Sequence, residues 1–146
     1  MAVRVRSISR RIRRPITIGV RALIVDNDHI LLVRSHGSAV WDMPGGATKR
    51  GETLRSAAAR EAREETGCNV EPEYLLGVYL SLHEGMTNHV AVYVCHATEQ
   101  PPDRINIEIA EARRWPIDAL PTPTWPSVQR RLAEYQAGGR GLDTKW

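Results

Sequence analysis

Residues 46–68 constrain the fold of this chain more than any other part of its sequence. They read GATKRGETLRSAAAREAREETGC, a glycine-containing turn followed by a run of helix-forming residues. Thr53 suits the N-cap of a helix that starts at Leu54, and Gly67 stands where a left-handed C-cap is expected. The segment therefore predicts a turn followed by a helix of roughly thirteen residues with well-marked ends.

Three glutamates lie on one side of this predicted helix. At about 100° per residue, Glu61, Glu64 and Glu65 project from a quarter to a third of its circumference. Ala57 and Ala58 point the same way, so this side must also pack inward. Carboxylates at these spacings repel one another on a packed side, whereas an ordinary solvated face would place them opposite the apolar residues. A bound cation would resolve the conflict, so the pattern favours a cation site.

The spacing within residues 46–68 is as informative as the helix. Glycines stand near both ends, one glutamate lies in the turn, and an arginine and three further glutamates follow on the helix. The fixed positions are Gly46, Glu52, Arg60, Glu61, Ala62, Glu64, Glu65, Gly67 and the apolar Cys68. This pattern resembles the signature of the Nudix hydrolases, a family that cleaves nucleoside diphosphates linked to another group. Residues 41–45, WDMPG, resemble the family as well.

The resemblance implies a divalent-cation site with oxygen ligands. The expected ligands are the carboxylates of Glu61, Glu64 and Glu65 and the backbone carbonyl of Gly45. Oxygen ligands favour a hard ion, so the expected cofactor is Mg²⁺, with Mn²⁺ as its substitute. Four residues are expected to be structural, because they shape the turns or brace the loop against the helix. These are Gly46, Glu52, Arg60 and Gly67.

Hydrolysis also needs a base within hydrogen-bond reach of the attacking water. Glu61 is one candidate, because a carboxylate beside the cation can orient that water. In many relatives a glutamate from a later loop has this role, and Glu108 and Glu111 lie where such a loop would approach the helix. We favour Glu108, since Glu111 begins a strand-like run; the alternative is that both are surface charges. The expected catalytic residues are thus Glu61, Glu64, Glu65 and Glu108.

Substrate-binding residues are less constrained by the sequence. Arg34 and His36 precede the glycine turn and are candidates to contact phosphates, and Trp41 is a candidate to stack on a base. The alternative is that Arg34 and His36 are surface residues and that Trp41 belongs to the core. Tyr79 and His83 are further candidates to stack on a base. ADP-ribose or another nucleotide sugar, an oxidised nucleoside triphosphate and the 5′ end of RNA all remain compatible substrates. The alternative function is a nucleotide-binding or regulatory module without turnover, against which the complete set of helix glutamates argues.

Charge and composition divide the chain into three parts. Residues 1–14 contain six arginines and no acidic residue, hence a charge of +6, and are expected to form a basic extension able to contact RNA or another polyanion. Residues 15–138 are expected to form one hydrolase domain, and residues 139–146 a flexible tail.

No run is apolar enough to cross a bilayer and no signal peptide is evident, so a soluble cytoplasmic protein is expected. Cys68 and Cys95 are expected to be buried thiols.

Hydrophobic patterning predicts alternating strands and helices. Strands are expected at residues 16–25, 30–34, 74–82, 88–96 and 111–117, and a second helix at residues 126–137. This order suggests an α/β fold with helices on both faces of one sheet. The resemblance implies the same architecture, the Nudix α/β/α sandwich with a mixed sheet between helices. Relatives are often dimers, so a homodimer is possible.

Overall fold

The computed structural model describes residues 15–83 and 85–146, so the predicted basic extension lies outside the described residues. Within those ranges the chain forms eight strands and two helices. The strands are β1 (Ile16–Asp26), β2 (His29–Ser35), β3 (Trp41–Asp42), β4 (Gly45–Ala47), β5 (Glu71–His83), β6 (Met86–His96), β7 (Ile109–Pro116) and β8 (Leu142–Lys145). The helices are α1 (Leu54–Thr66) and α2 (Pro126–Gln136).

Both predicted helices and all five predicted strands are confirmed, most with slightly longer bounds. The turn between β1 and β2 has Asn27 in the left-handed region at a φ of 50°, a conformation that asparagine tolerates better than most residues. The short strands β3 and β4 were not predicted, because two or three residues are too few to show an alternating pattern. They lie in and just before the glycine-containing turn that the sequence predicts.

The strands form one mixed sheet in the order β3-β2-β1-β6-β5-β8, with β4 paired to β1 and β7 paired to β2. The β1–β6 and β5–β8 pairs are parallel and the others are antiparallel. Ala22 of β1 shares a cluster of buried residues with Ala62 of α1. Its neighbour Leu23 shares another with Leu132 of α2. Because successive side chains of a strand point to opposite faces, the two helices cover opposite faces of the sheet, which confirms the predicted sandwich.

The C-terminal residues correct one prediction. Residues 139–146 were predicted to be a flexible tail, but Leu142 to Lys145 pair in parallel with β5. The ring of Trp146 lies 5.9 Å from that of Tyr79 in an edge-to-face contact. A four-residue edge strand gains its stability from this tertiary pairing, which its own sequence, LDTK, does not reveal.

Tyr79 is also not available to stack on a base, because its side chain is fully buried. Its hydroxyl donates a 2.7 Å hydrogen bond to Glu134, and the guanidinium of Arg131 lies 3.7 Å from the centre of its ring. Arg131 is buried as well and pairs with Glu134 at 2.9 Å. These contacts join α2 to β5, so Tyr79 belongs to the core.

Two further observations concern the cysteines and the helices. Cys68 and Cys95 are both buried free thiols, as predicted. Among the described helices, none has the length and apolar character needed to span a membrane.

Candidate functional site

The helix α1 has the ends that its sequence predicts. The hydroxyl of Thr53 accepts a 3.1 Å hydrogen bond from the amide of Ser56, which caps the first turn. At the other end, Gly67 adopts a φ of 72°, and its amide donates to the carbonyl of Arg63. These caps set the length of the helix and therefore the direction in which each of its glutamates projects.

Two glycines let β4 lie against both the sheet and the helix. A Cβ atom added to Gly46 would stand 2.8 Å from the carboxylate carbon of Glu61. One added to Gly45 would stand 2.1 Å from the carbonyl oxygen of Val20. Any larger residue would therefore displace β4 or the carboxylate of Glu61. The glycine turn thus brings the backbone into direct contact with the helix glutamates.

Arg60 lies at the centre of a network of ion pairs. Its Nε donates to Glu52 at 2.7 Å, and its Nη1 donates to Glu61 at 2.7 Å and to Glu64 at 3.3 Å. Its Nη2 also donates to the carbonyl of Ala47 at 3.0 Å. Only 14% of the side chain is exposed. Arg60 therefore joins the end of β4, the loop after it and the helix, which is the contact pattern expected of a bracing residue.

The electrostatics of this network follow from its hydrogen bonds. The pKa of Glu52 is lowered to about 2, first by the hydrogen bond from Arg60 and then by the backbone amide of Lys49. The pKa of Arg60 is raised in turn by its bonds to Glu52 and Glu61. Each partner therefore stabilises the charged form of the other.

Glu65 lies in a different environment from its neighbours on the helix. Its carboxylate accepts a 2.9 Å hydrogen bond from the amide of Gly45. Burial raises its pKa to about 7, although the Gly45 amide and the charge of Arg21 act in the opposite direction. The nearby carboxyl of Asp42 also has a raised pKa because it is buried, even with Arg21 at 3.7 Å. Within the described ranges Glu65 forms no salt bridge, and the charge of Arg21 offsets the burial of its carboxylate only in part.

The three helix glutamates do not converge as the sequence led us to expect. About 49% of the Glu64 side chain is exposed, compared with 15% for Glu61, so Glu64 does not share the packed side of the helix. Within residues 15–83 and 85–146, no group of three or more His, Cys, Asp or Glu side chains is close enough to hold a metal ion. Arg60 pairs with both Glu61 and Glu64, whereas Glu65 accepts its hydrogen bond from the amide of Gly45.

The donor set nevertheless fits a divalent cation. Glu61 and Glu65 present carboxylate oxygens beside a backbone strand that has no side chains in the way. Oxygen donors of this kind suit Mg²⁺ or Mn²⁺. The buried carboxylate of Glu65 would gain most from a cation, because a buried charge without a partner is costly. Gly45 contacts Glu65 through its amide, and the role of its carbonyl as a ligand remains a prediction.

The loop before β7 approaches the end of α1, where Asn106 joins them. The side-chain amide of Asn106 donates a 2.8 Å hydrogen bond to the carbonyl of Glu64. Its oxygen accepts bonds from the amides of Glu108 and Ile109 at 2.8 and 2.7 Å. Asn106 was not predicted, although an asparagine two residues before Glu108 is a recognisable turn signal.

The structure separates the two glutamates proposed as a base. Glu108 is exposed, and its carbonyl accepts a bond from the amide of His36. Glu111 instead pairs with Arg34 at 3.2 Å and with Arg113 at 2.9 Å. Two arginine side chains therefore hold its carboxylate within the β2–β7 pair. Glu108, in contrast, forms no salt bridge within the described part of the chain.

The predicted substrate-binding residues have different positions. Arg34 is held by Glu111 and by the carbonyl of Ser38 at 3.0 Å, so its guanidinium already has partners. His36 is exposed beside the Glu108 loop. Trp41 is 7% exposed and packs edge-to-face against Trp115 at 5.2 Å, so its prediction as a base-stacking residue was wrong. The β2–β3 pairing buries this ring, and the alternative of a core residue is the one observed.

Comparisons with known proteins cover most of the chain. A family model described as the NUDIX domain matches residues 15–136. An ADP-ribose pyrophosphatase of Methanocaldococcus jannaschii is 34% identical over 76 residues, which are 50% of this chain and 45% of that protein. The chain spans about half or less of the length of the curated relatives it matches.

Solved structures with similar folds cover more of the chain. The crystal structure of a UDP-X diphosphatase is 28% identical with a TM-score of 0.74, covering 90% of this chain and 68% of that one. A NUDIX hydrolase from Nitrosomonas europaea is 29% identical with a TM-score of 0.73, covering 87% of this chain and 93% of that one. The similarity therefore includes both helices and the sheet between them.

Proposed function

The chain belongs to the NUDIX family, and on that basis we propose that it is a divalent-cation-dependent hydrolase of nucleoside diphosphates linked to another group. NUDIX hydrolases generally use a divalent metal. The observation that carries the proposal is Glu65, a half-buried carboxylate next to the β4 backbone, with its pKa raised to about 7 by burial. Such a group is costly in an ordinary structural role and suited to binding a cation.

Each residue of the site has a proposed role. Glu61, Glu64, Glu65 and the carbonyl of Gly45 hold the cation, which is Mg²⁺ with Mn²⁺ as a substitute. When bound, this cation neutralises charge on the phosphoryl oxygens and activates the attacking water. Arg60 and Glu52 fix the loop against α1, and Gly46 keeps the backbone close to Glu61.

The proton of the attacking water requires a base. We propose Glu108, because Asn106 holds its loop against the end of α1 and its carboxylate is exposed. Glu61 is the alternative, since it lies next to the glycine turn. Glu111 is less suited, because Arg34 and Arg113 hold its carboxylate.

The substrate class can be tested directly. We would incubate the full chain with ADP-ribose, nucleotide sugars, oxidised nucleoside triphosphates, dinucleoside polyphosphates and 5′-triphosphorylated or capped RNA. Mg²⁺, Mn²⁺ or EDTA would be present in parallel samples. The expected result is release of a nucleoside monophosphate and a second phosphorylated product only when a divalent cation is present. Cleavage of no compound with either ion, or equal cleavage in EDTA, would overturn the proposal.

The pKa of Glu65 leads to a prediction about metal binding. Only the ionised carboxylate binds a cation, so below a pKa of about 7 the cation must displace a proton. Apparent affinity for Mg²⁺ should therefore fall as pH decreases through 7, by at most about tenfold per unit, and level off above it. Calorimetry in two buffers of different ionisation enthalpy measures both the affinity and the released proton. Constant affinity from pH 6 to 8 would contradict this assignment.

The basic extension leads to a separate prediction. Because residues 1–14 precede the sheet and carry +6, we expect their removal to leave hydrolysis of small nucleotides nearly unchanged. Any contribution of these arginines to RNA binding should appear as a loss of affinity that shrinks at high salt. Steady-state kinetics on a small nucleotide, with RNA binding in parallel, test both points. A large loss of activity on small nucleotides would show that the extension belongs to the site or the core.

A further inference from the structure

Arg21 lines two clefts beside the candidate site. The first, of about 300 Å³, lies between the start of β1, the β5–β6 hairpin and β4, and its lining includes Thr17, Ile18, Arg21, Gly46, Met86 and Asn88. The second, of about 120 Å³, is lined by Arg21, Ser35, Ser38, Asp42, Glu65 and Trp125, among others. The first cleft thus borders the glycine turn, and the second borders the buried glutamate.

Trp125 gives the second cleft a flat aromatic surface. Its side chain is 52% exposed, which is unusual for so large an apolar ring. Its backbone is held in place, because its amide donates to the carbonyl of Trp41 and the amide of Trp41 donates to Pro123, both at 3.0 Å. A fixed, exposed indole is well suited to stack on a planar base. The hydroxyls of Ser35 and Ser38 offer hydrogen bonds to the edge of such a base.

The first cleft combines apolar and hydrogen-bonding groups. Ile18 and Met86 are 41% and 38% exposed. The hydroxyl of Thr17 donates a 3.0 Å bond to the side-chain oxygen of Asn88, which leaves the Asn88 amide nitrogen to donate elsewhere. No acceptor for that nitrogen is found within residues 15–83 and 85–146. Apolar side chains beside an amide donor suit a sugar ring, which has both C–H faces and hydroxyls.

The charge between the clefts suits a diphosphate. Arg21 is half-buried, with 31% of its side chain exposed, and it lines both clefts. Its ion pair with Asp42 is long, at 3.7 Å, and does not occupy all of the guanidinium N–H donors. It pairs with Gly45 across the β1–β4 register, which places it at the glycine turn. A diphosphate at this position would have a base on one side and a second group on the other.

We infer that the two clefts hold the two ends of one substrate, a nucleobase on Trp125 and a sugar-like second moiety between Ile18, Met86 and Asn88. This inference rests on the proposed function and deepens it, because it assigns the nucleobase and a sugar-like second group to named residues. A nucleoside triphosphate or the 5′ end of RNA would not use both clefts in this way. Trp125 and Asn88 are thus the residues that determine specificity.

Binding of uncleavable ligands separates the two clefts. The probes are AMP and the α,β-methylene analogues of ADP-ribose and UDP-glucose, titrated into the full chain with Mg²⁺. Trp125→Leu keeps an apolar side chain but removes the ring, so Kd should rise about tenfold for all three probes, whereas Trp125→Phe should stay within about threefold of the wild type. Asn88→Ala should weaken only the two-part analogues, by about fivefold, and leave AMP unchanged.

Leu82→Ala is the matched control, because Leu82 is 71% exposed on the same hairpin and lines neither cleft. It should bind every probe as the wild type does. Unchanged binding by Trp125→Leu, or equal weakening of AMP and the two-part analogues by Asn88→Ala, would overturn the inference. These measurements need no turnover, so the inference stands if binding changes as expected in a chain that hydrolyses nothing. In that case only the proposed hydrolase activity fails.

Discussion

Glu65→Gln is expected to lower kcat/KM for the best diphosphate substrate by at least about 100-fold. Glutamine keeps the size of the side chain and can still accept the hydrogen bond from Gly45, but it loses the charge that would hold a cation. A cation at a phosphoryl group contributes several kcal/mol to the transition state, and about 1.4 kcal/mol corresponds to each factor of ten in rate. Steady-state kinetics at saturating Mg²⁺ measure this change.

The fold of this variant should be intact. The wild-type carboxylate is half-buried and Arg21 offsets that burial only in part, so its replacement by a neutral amide should not lower the melting temperature of the metal-free protein. Glu71→Gln is the matched control, because Glu71 is an exposed glutamate at the start of β5. It should retain wild-type kinetics. Mg²⁺-dependent hydrolysis at the wild-type rate by Glu65→Gln would show that Glu65 is not a ligand.

Arg60→Met is expected to destabilise the fold more than other charge removals on α1. Methionine retains the apolar part of the side chain but removes the N–H groups that donate to Glu52, to Glu61 and to the carbonyl of Ala47. Removing one partner of a mostly buried ion pair leaves the other charges uncompensated. We expect the free energy of unfolding to fall by about 2 kcal/mol, which corresponds to a melting temperature lower by roughly 5 °C in thermal unfolding.

Arg63→Met is the control for this variant, because Arg63 is exposed on the same helix. It should change stability by less than about 0.5 kcal/mol. If Arg60→Met and Arg63→Met melt at the same temperature, the ion-pair network does not brace the loop. Activity should fall with stability in Arg60→Met, because the same bonds hold β4 beside Glu61.

The parts of the site that the sequence predicts are those that depend on local interactions. The cap at Thr53 and the left-handed Gly67 lie within a few residues of their partners, so the bounds of α1 follow from residue types alone. Arg60 and Glu64 are one helical turn apart, and their contact is also local. Fixed spacing within residues 46–68 therefore predicted the helix and its glutamates.

The remaining parts depend on which strands become neighbours. Arg34 meets Glu111 only because β2 pairs with β7, and Trp41 is buried only because β3 pairs with β2. The backbone bond between Trp125 and Trp41 likewise joins segments that are far apart in the sequence. Periodicity within a single segment contains no information about such pairings. For the same reason, the sequence did not reveal that Glu65 would accept a hydrogen bond from the amide of Gly45 in β4.

We propose that the carboxylates of α1 and the β4 turn bind one or more divalent cations. Crystals of the full chain grown with Mn²⁺ test this proposal through an anomalous difference map. We expect a peak within coordination distance, about 2.2 Å, of oxygens from Glu65 and from at least one of Glu61 and Glu64, with Arg60 turned toward Glu52. The absence of a peak at millimolar Mn²⁺, or a peak that touches none of these glutamates, would contradict it.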